Sequence, residues 1–121
     1  MKIESFERTL ISGGEQVLEE VRILCDGVQH VFARTRGTKD WWAIHGNIEV
    51  LNHALKELAE RPLIKLAKKA KREWKISKAD YETAKALREE VEGVSPFLKE
   101  EVDAFKRIHL IFTNSNKKEE K

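Results

Sequence analysis

The chain has 121 residues, 40% of them apolar and 36% charged, yet 23 Lys and Arg against 21 Asp and Glu leave a net charge of only +2. That is the length of one ordinary domain, with enough apolar side chains for a core that needs no disulfide or metal. The near-neutral balance excludes the composition of a disordered chain, and no apolar run approaches the roughly 18 residues of a membrane span.

The apolar spacing reads as helical almost throughout. Ile3, Leu10, Val17, Leu24 and Val31 recur every seven residues, and Ile11, Leu18, Cys25 and Phe32 run beside them, with Val21 and Val28 widening the stripe. Residues seven apart share a helix face, so this spacing predicts a long first helix. Ser12 with Glu15 three residues on has the form of a capping box. Gly13-Gly14 would cost about 2 kcal/mol inside a helix, so a kink or short break is expected there. Gly37 is placed at the end of this helix and Thr38 at the cap of the next, with Asp40 in its first turn.

The second helix is expected to bury Trp41, Ile44, Ile48, Leu51, Leu55 and Leu58, at spacings of 3, 4, 3, 4 and 3. Arg61-Pro62 interrupts it, and Pro62 suits the first position of a third helix whose inner face is Leu63, Leu66, Ala67, Ala70 and Trp74. Ser77 and Asp80 cap a fourth, carrying Tyr81, Ala84, Leu87 and Val91 to a stop at Gly93. Ser95-Pro96 opens a fifth, with Leu98, Val102, Phe105, His109 and Phe112 inward. Nothing reads as a strand. The expected fold is all-α, an antiparallel bundle of four or five helices filling residues 1–113, with a polar, frayed tail over 114–121.

The small net charge conceals an asymmetry. Residues 1–60 carry 7 basic and 10 acidic groups, residues 61–78 carry 8 basic groups and the single acid Glu73, and residues 79–121 carry 8 basic and 10 acidic. On a helical wheel Arg61, Lys65, Lys68, Lys69, Arg72 and Lys75 fall between about 120° and 240° from Leu63, opposite the apolar arc. A lysine-rich face is commonly only solvated. This one is unusual in setting like charges one turn apart, at Lys65/Lys69, Lys68/Arg72 and Lys71/Lys75, with hardly an acid to offset them. Such a strip can follow a phosphate backbone, with affinity from released counterions. Without a zinc-finger spacing or a glycine-rich phosphate loop, contact with DNA or RNA would carry little sequence specificity. The apolar side of this helix is half alanine and is needed for the core, which argues against a membrane surface as partner.

Other constellations are thinner. His45, Glu49 and His53 stand at i, i+4 and i+8 of the expected second helix, where neighbouring residues can share a metal, although three ligands in one line span too far to close on one ion. Glu57/Glu60 and Glu100/Asp103 are acidic pairs of a kind that can hold magnesium, but two four-residue strings establish no family resemblance. No nucleophile and no catalytic residue stands out: Cys25 lies on an apolar line, and Ser12, Ser77 and Ser95 are accounted for as caps. Trp42 turns away from the Trp41 stripe and can pack or anchor a partner, and Trp74 flanks the basic strip.

These features point to a non-enzymatic helical accessory protein that binds nucleic acid or a nucleoprotein assembly through residues 61–78, with no cofactor. An oligomeric scaffold built on the heptad face of the first helix is the alternative, as a homo-oligomer or a subunit of a larger assembly. A metal-dependent enzyme is the third. The lone Cys25 and the acid at Glu4, where a signal peptide would run apolar, place the chain in the cytoplasm. Abundant Glu and Lys with one Met and one Cys is a composition found in thermophiles.

Overall fold

The computed structural model describes residues 1–119. It overturns the all-α bundle. The first half of the chain is an antiparallel meander of β1 (Ile3–Gly13), β2 (Gln16–Cys25), β3 (Val28–Thr35) and β4 (Trp42–His45), hydrogen-bonded in that order. Four helices follow, α1 (Ile48–Ala59), α2 (Pro62–Glu73), α3 (Lys78–Val91) and α4 (Leu98–Glu119). The molecule is therefore a mixed α/β protein. It divides into two compact units, Met1–Glu57 and Leu58 onward.

Two tight turns explain why the expected first helix is a sheet. Gly13 pairs with Gln16 across Gly14-Glu15. Gly14 has φ 69°, as the first central residue of a type II′ turn requires. Cys25 pairs with Val28 across Asp26-Gly27, whose φ values of 49° and 78° suit a type I′ turn. Both turn types match the right-handed twist of paired strands. Gly13-Gly14 is thus a hairpin and not a kink, and Ser12 and Glu15 flank it without forming a capping box.

The register sorts the side chains. Phe6 faces Ile23, Arg8 faces Val21, Val21 faces Phe32 and Glu19 faces Arg34, which puts all of these on one face. Phe6, Val21, Ile23 and Phe32 are buried there. Glu19 is buried with them at 3% exposure, its carboxylate held by Arg8 Nη1 at 2.9 Å and Arg34 Nε at 2.7 Å. The opposite face carries Glu20, Arg22 and Gln29 among partly covered Leu18, Leu24 and Val31. Thr38 caps no helix. Its hydroxyl donates to the Thr35 carbonyl at 2.7 Å in the β3–β4 connection, where Arg34 also lies 4.4 Å over the Trp41 ring.

Trp41 and Ile44, assigned by their spacing to the second helix, precede it. Gly46, at φ 122°, breaks the chain between β4 and α1, and the Asn47 side chain caps α1 by accepting the Glu49 N–H at 2.9 Å. Val50, Leu51, Ala54 and Leu58 form the buried line of α1.

The helical unit follows its sequence signals more closely. α2 opens at Pro62, and the Ser77 hydroxyl oxygen caps α3 by accepting the Asp80 N–H at 3.1 Å. Gly93, at φ 80°, follows the end of α3. α4 packs on both α2 and α3, which also meet each other. Leu63, Ala67, Ala84, Val91, Ala104 and Ile108 make the shared core. On α4 the buried line is Glu101, Ala104, Ile108 and Ile111, about one residue out of phase with the expected Val102, Phe105, His109 and Phe112. Those aromatics flank the core, with Phe112 stacked on Tyr81 at 4.0 Å and Tyr81 Oη 2.6 Å from His109 Nδ1. α4 continues through 114–119, where a frayed tail was expected, and residues 120–121 of that tail lie outside the described residues.

Candidate polyanion-binding surface

The basic strip lies on α2 and the turn after it. Leu63, Ala67 and Ala70 face inward, Ile64 and Leu66 pack at the edge of the same core, and the long cationic side chains of the helix lie on its outer side. Lys65, Lys68, Lys69, Lys71, Arg72 and Lys75 are all exposed. Among the described residues, Lys69 alone of the strip is ion-paired, with Asp80 at 3.5 Å, in a pair open to solvent on both sides. α3, by contrast, pairs Lys85 with Glu82 and Arg88 with Glu92 at its C-terminal cap, each at 3.9 Å.

Arg61 leaves the strip. Its guanidinium turns inward to Glu101, with Nε at 3.1 Å and Nη2 at 3.5 Å from the carboxylate oxygens, and Nη2 also donates to Ser95 Oγ at 3.3 Å. The Ser95 hydroxyl donates to Glu101 and accepts the Phe97 N–H at 3.1 Å. Glu101 is 1% exposed, so this is an internal clamp between the start of α2 and the start of α4. The wheel puts Arg61 on the phosphate-binding strip, whereas in the structure its guanidinium is committed to a buried carboxylate, which sets it apart from the exposed lysines.

Trp74 also departs from expectation, in the opposite direction. The wheel puts it on the buried stripe, but α2 ends at Glu73 and Trp74 takes a left-handed conformation, φ 53° and ψ 28°. That reversal carries Ile76 onto the core in its place and leaves the indole 73% exposed. Glycine is the usual residue at such a helix end. A bulky side chain there is an outlier that costs roughly 1–2 kcal/mol. The reversal also means that Lys71 and Lys75 are not one helical turn apart. A cavity of about 340 Å³ opens beside this corner, lined by Lys69, Glu73, Lys75, Ser77 and Asp80 among others. The signal available in sequence is the Ser77 cap, only four residues beyond Glu73, which forces α2 to end before its stripe does.

The remaining candidates are dispersed. Trp42 is on the edge strand β4, 46% exposed, not packed on a first helix. His45 is in β4 while Glu49 and His53 are in α1, so the i, i+4, i+8 line does not exist, and His53 pairs instead with Glu57 at 3.5 Å. Among the described residues no three His, Cys, Asp or Glu side chains gather as a metal site requires. Among them also, no helix is long and apolar enough to cross a membrane. A groove of about 660 Å³ lies on the open sheet face, between Glu20, Arg22, Val31 and His45, a site that a helical spacing in this segment does not bring together. Cys25 is buried at the end of β2. Burial pushes its thiol pKa up, and the Asp26 carboxylate, 3.7 Å from Sγ, adds to that shift. Comparison of the chain with family models, curated proteins and solved structures finds no match.

Proposed function

We propose that this protein is a nucleic-acid-binding accessory protein that holds the sugar–phosphate backbone along α2, on Lys65, Lys68, Lys69, Arg72 and Lys75. The observation that carries this reading is a cationic face with a single ion pair among the described residues, Lys69–Asp80: exposed Lys and Arg on successive turns carry almost no acid between them, while the neighbouring α3 interleaves Glu with its Lys and Arg. An exposed helix kept only for stability gains from alternating charge, and this one forgoes it. The scaffold alternative loses its basis, since the heptad face it needs belongs to strands.

Contact through lysines and one arginine predicts affinity dominated by counterion release. Five phosphate contacts would give a slope of log K against log salt of about −4.5 on duplex and about −3.5 on single strands. Fluorescence anisotropy with labelled DNA and RNA across a salt series tests this, beside a variant with Lys65, Lys69 and Arg72 changed to Glu. Micromolar or tighter binding near physiological salt, lost with its slope in the variant, is the expected result. Equal, weak binding by both proteins would refute it.

A further inference from the structure

We propose that the α2 surface takes single-stranded nucleic acid, with one base stacked on the Trp74 indole where the basic strip ends. This rests on the polyanion reading above and adds the strand type and the contact that selects it. Trp74 is the most exposed of the three tryptophans, held outward by a backbone conformation that tryptophan disfavours. Strained, solvent-facing residues concentrate where a ligand is met. In the chain it lies between Arg72 and Lys75, with Lys71 and Lys78 near and Glu73 the single acid of the stretch.

A cation row that tracks a backbone and ends in a free aromatic face is the arrangement by which single strands are bound without regard to sequence, because every base has a face to stack. A duplex keeps its base faces stacked on one another, so the indole could reach one only by prying a step apart. The backbone cations alone would not distinguish the two forms. Trp74 does.

Anisotropy is measured with three labelled ligands of equal length: an oligothymidylate, an abasic deoxyribose-phosphate strand and a duplex. The proteins are wild type, Trp74→Gly, Trp74→Phe and the Lys65/Lys69/Arg72→Glu variant. Wild type is expected to prefer the oligothymidylate. Trp74→Gly should lose roughly 5- to 100-fold on that ligand, bind the abasic strand as wild type does, and keep its salt slope. Trp74→Phe should retain most of the affinity. Glycine suits the left-handed position, so Trp74→Gly stays folded by circular dichroism and its loss cannot be ascribed to unfolding. If Trp74→Gly binds the oligothymidylate like wild type while the charge variant fails, stacking is refuted and the polyanion surface stands. If the duplex is bound as well as the single strand, the strand assignment alone fails. If wild type binds none of the three, or binds anionic vesicles in preference to them, both readings fall.

Discussion

The clamp at Glu101 makes an asymmetric prediction. Its carboxylate is 1% exposed and receives Arg61 Nε, Arg61 Nη2 and the Ser95 hydroxyl, whereas the Arg61 side chain is 29% exposed. Removing one partner of a buried pair costs about 3–5 kcal/mol, because the other is left uncompensated. The two removals are not equal here. Glu101→Gln strands a guanidinium that can reach water, and the amide still accepts one hydrogen bond, so about 1–2 kcal/mol is expected. Arg61→Met strands a buried carboxylate whose remaining side-chain donor among the described residues is Ser95, and about 3 kcal/mol or more is expected. The double variant Arg61→Met/Glu101→Leu removes both charges and should recover a substantial part of that loss. Urea unfolding followed by far-ultraviolet circular dichroism gives the three midpoints. Arg61→Met proving milder than Glu101→Gln, or all three variants falling within about 0.5 kcal/mol of wild type, would refute the assignment of Arg61 to the fold. At concentrations where it is folded, Arg61→Met should bind oligonucleotide with the wild-type salt slope.

Gly46→Ala should destabilise the sheet unit by at least about 2 kcal/mol, since φ is 122° and the new Cβ would lie 2.3 Å from His30 Nδ1 and 2.8 Å from His30 Cβ. Gly93→Ala, at φ 80° with open space around it, should cost only about 1 kcal/mol, and urea midpoints compare the two. Cys25 should resist a thiol reagent in the native protein and react promptly once urea unfolds it. The folded thiol gives up its proton less readily than the unfolded one, so its contribution to stability is whole at neutral pH and declines above roughly pH 8.5. Rapid native-state labelling would contradict the burial.

The helical unit was legible because its boundaries are chemical: Pro62, the Ser77 cap and Gly93 each stop or start a helix for a local reason. The sheet was not legible because a seven-residue apolar repeat does not discriminate between the two periods. On a strand an odd spacing alternates faces unless a bulge intervenes, and one does between Ile3 and Ser5, so Ile3 and Leu10 share a face although Ile3 is buried and Leu10 exposed. The strand period was present in Val17, Glu19, Val21, Ile23 and Cys25, but a glutamate in the middle hides it. Glu19 is tolerable inside only because Arg8 and Arg34 reach it from the strands on either side, a pairing that exists after the strands have met. The stronger signal was Asp26-Gly27 between two β-rich runs, which specifies a type I′ hairpin by itself. At the candidate surface, Lys65, Lys68, Lys69, Arg72 and Lys75 were readable from the wheel. Arg61 and Trp74 were misplaced because the wheel knows neither the acid on α4 nor the reversal at residue 74.

The two departures bear on function in one direction. Arg61 is committed to the fold, so the cations that remain are exposed, Lys69 alone among them sharing an open ion pair with Asp80. Like-charge neighbours on α2 cost a few tenths of a kcal/mol each, and the left-handed Trp74 costs about 1–2 kcal/mol more. Either could be removed cheaply: an acid at Lys68 or a glycine at Trp74 would suit the local backbone as well or better. Both costs fall between Lys65 and Trp74, while α3 alongside keeps its charges paired. On the reading proposed above, a stretch that gives up stability twice on one solvent-facing edge serves a polyanionic ligand whose phosphates take the cations and whose base takes the indole.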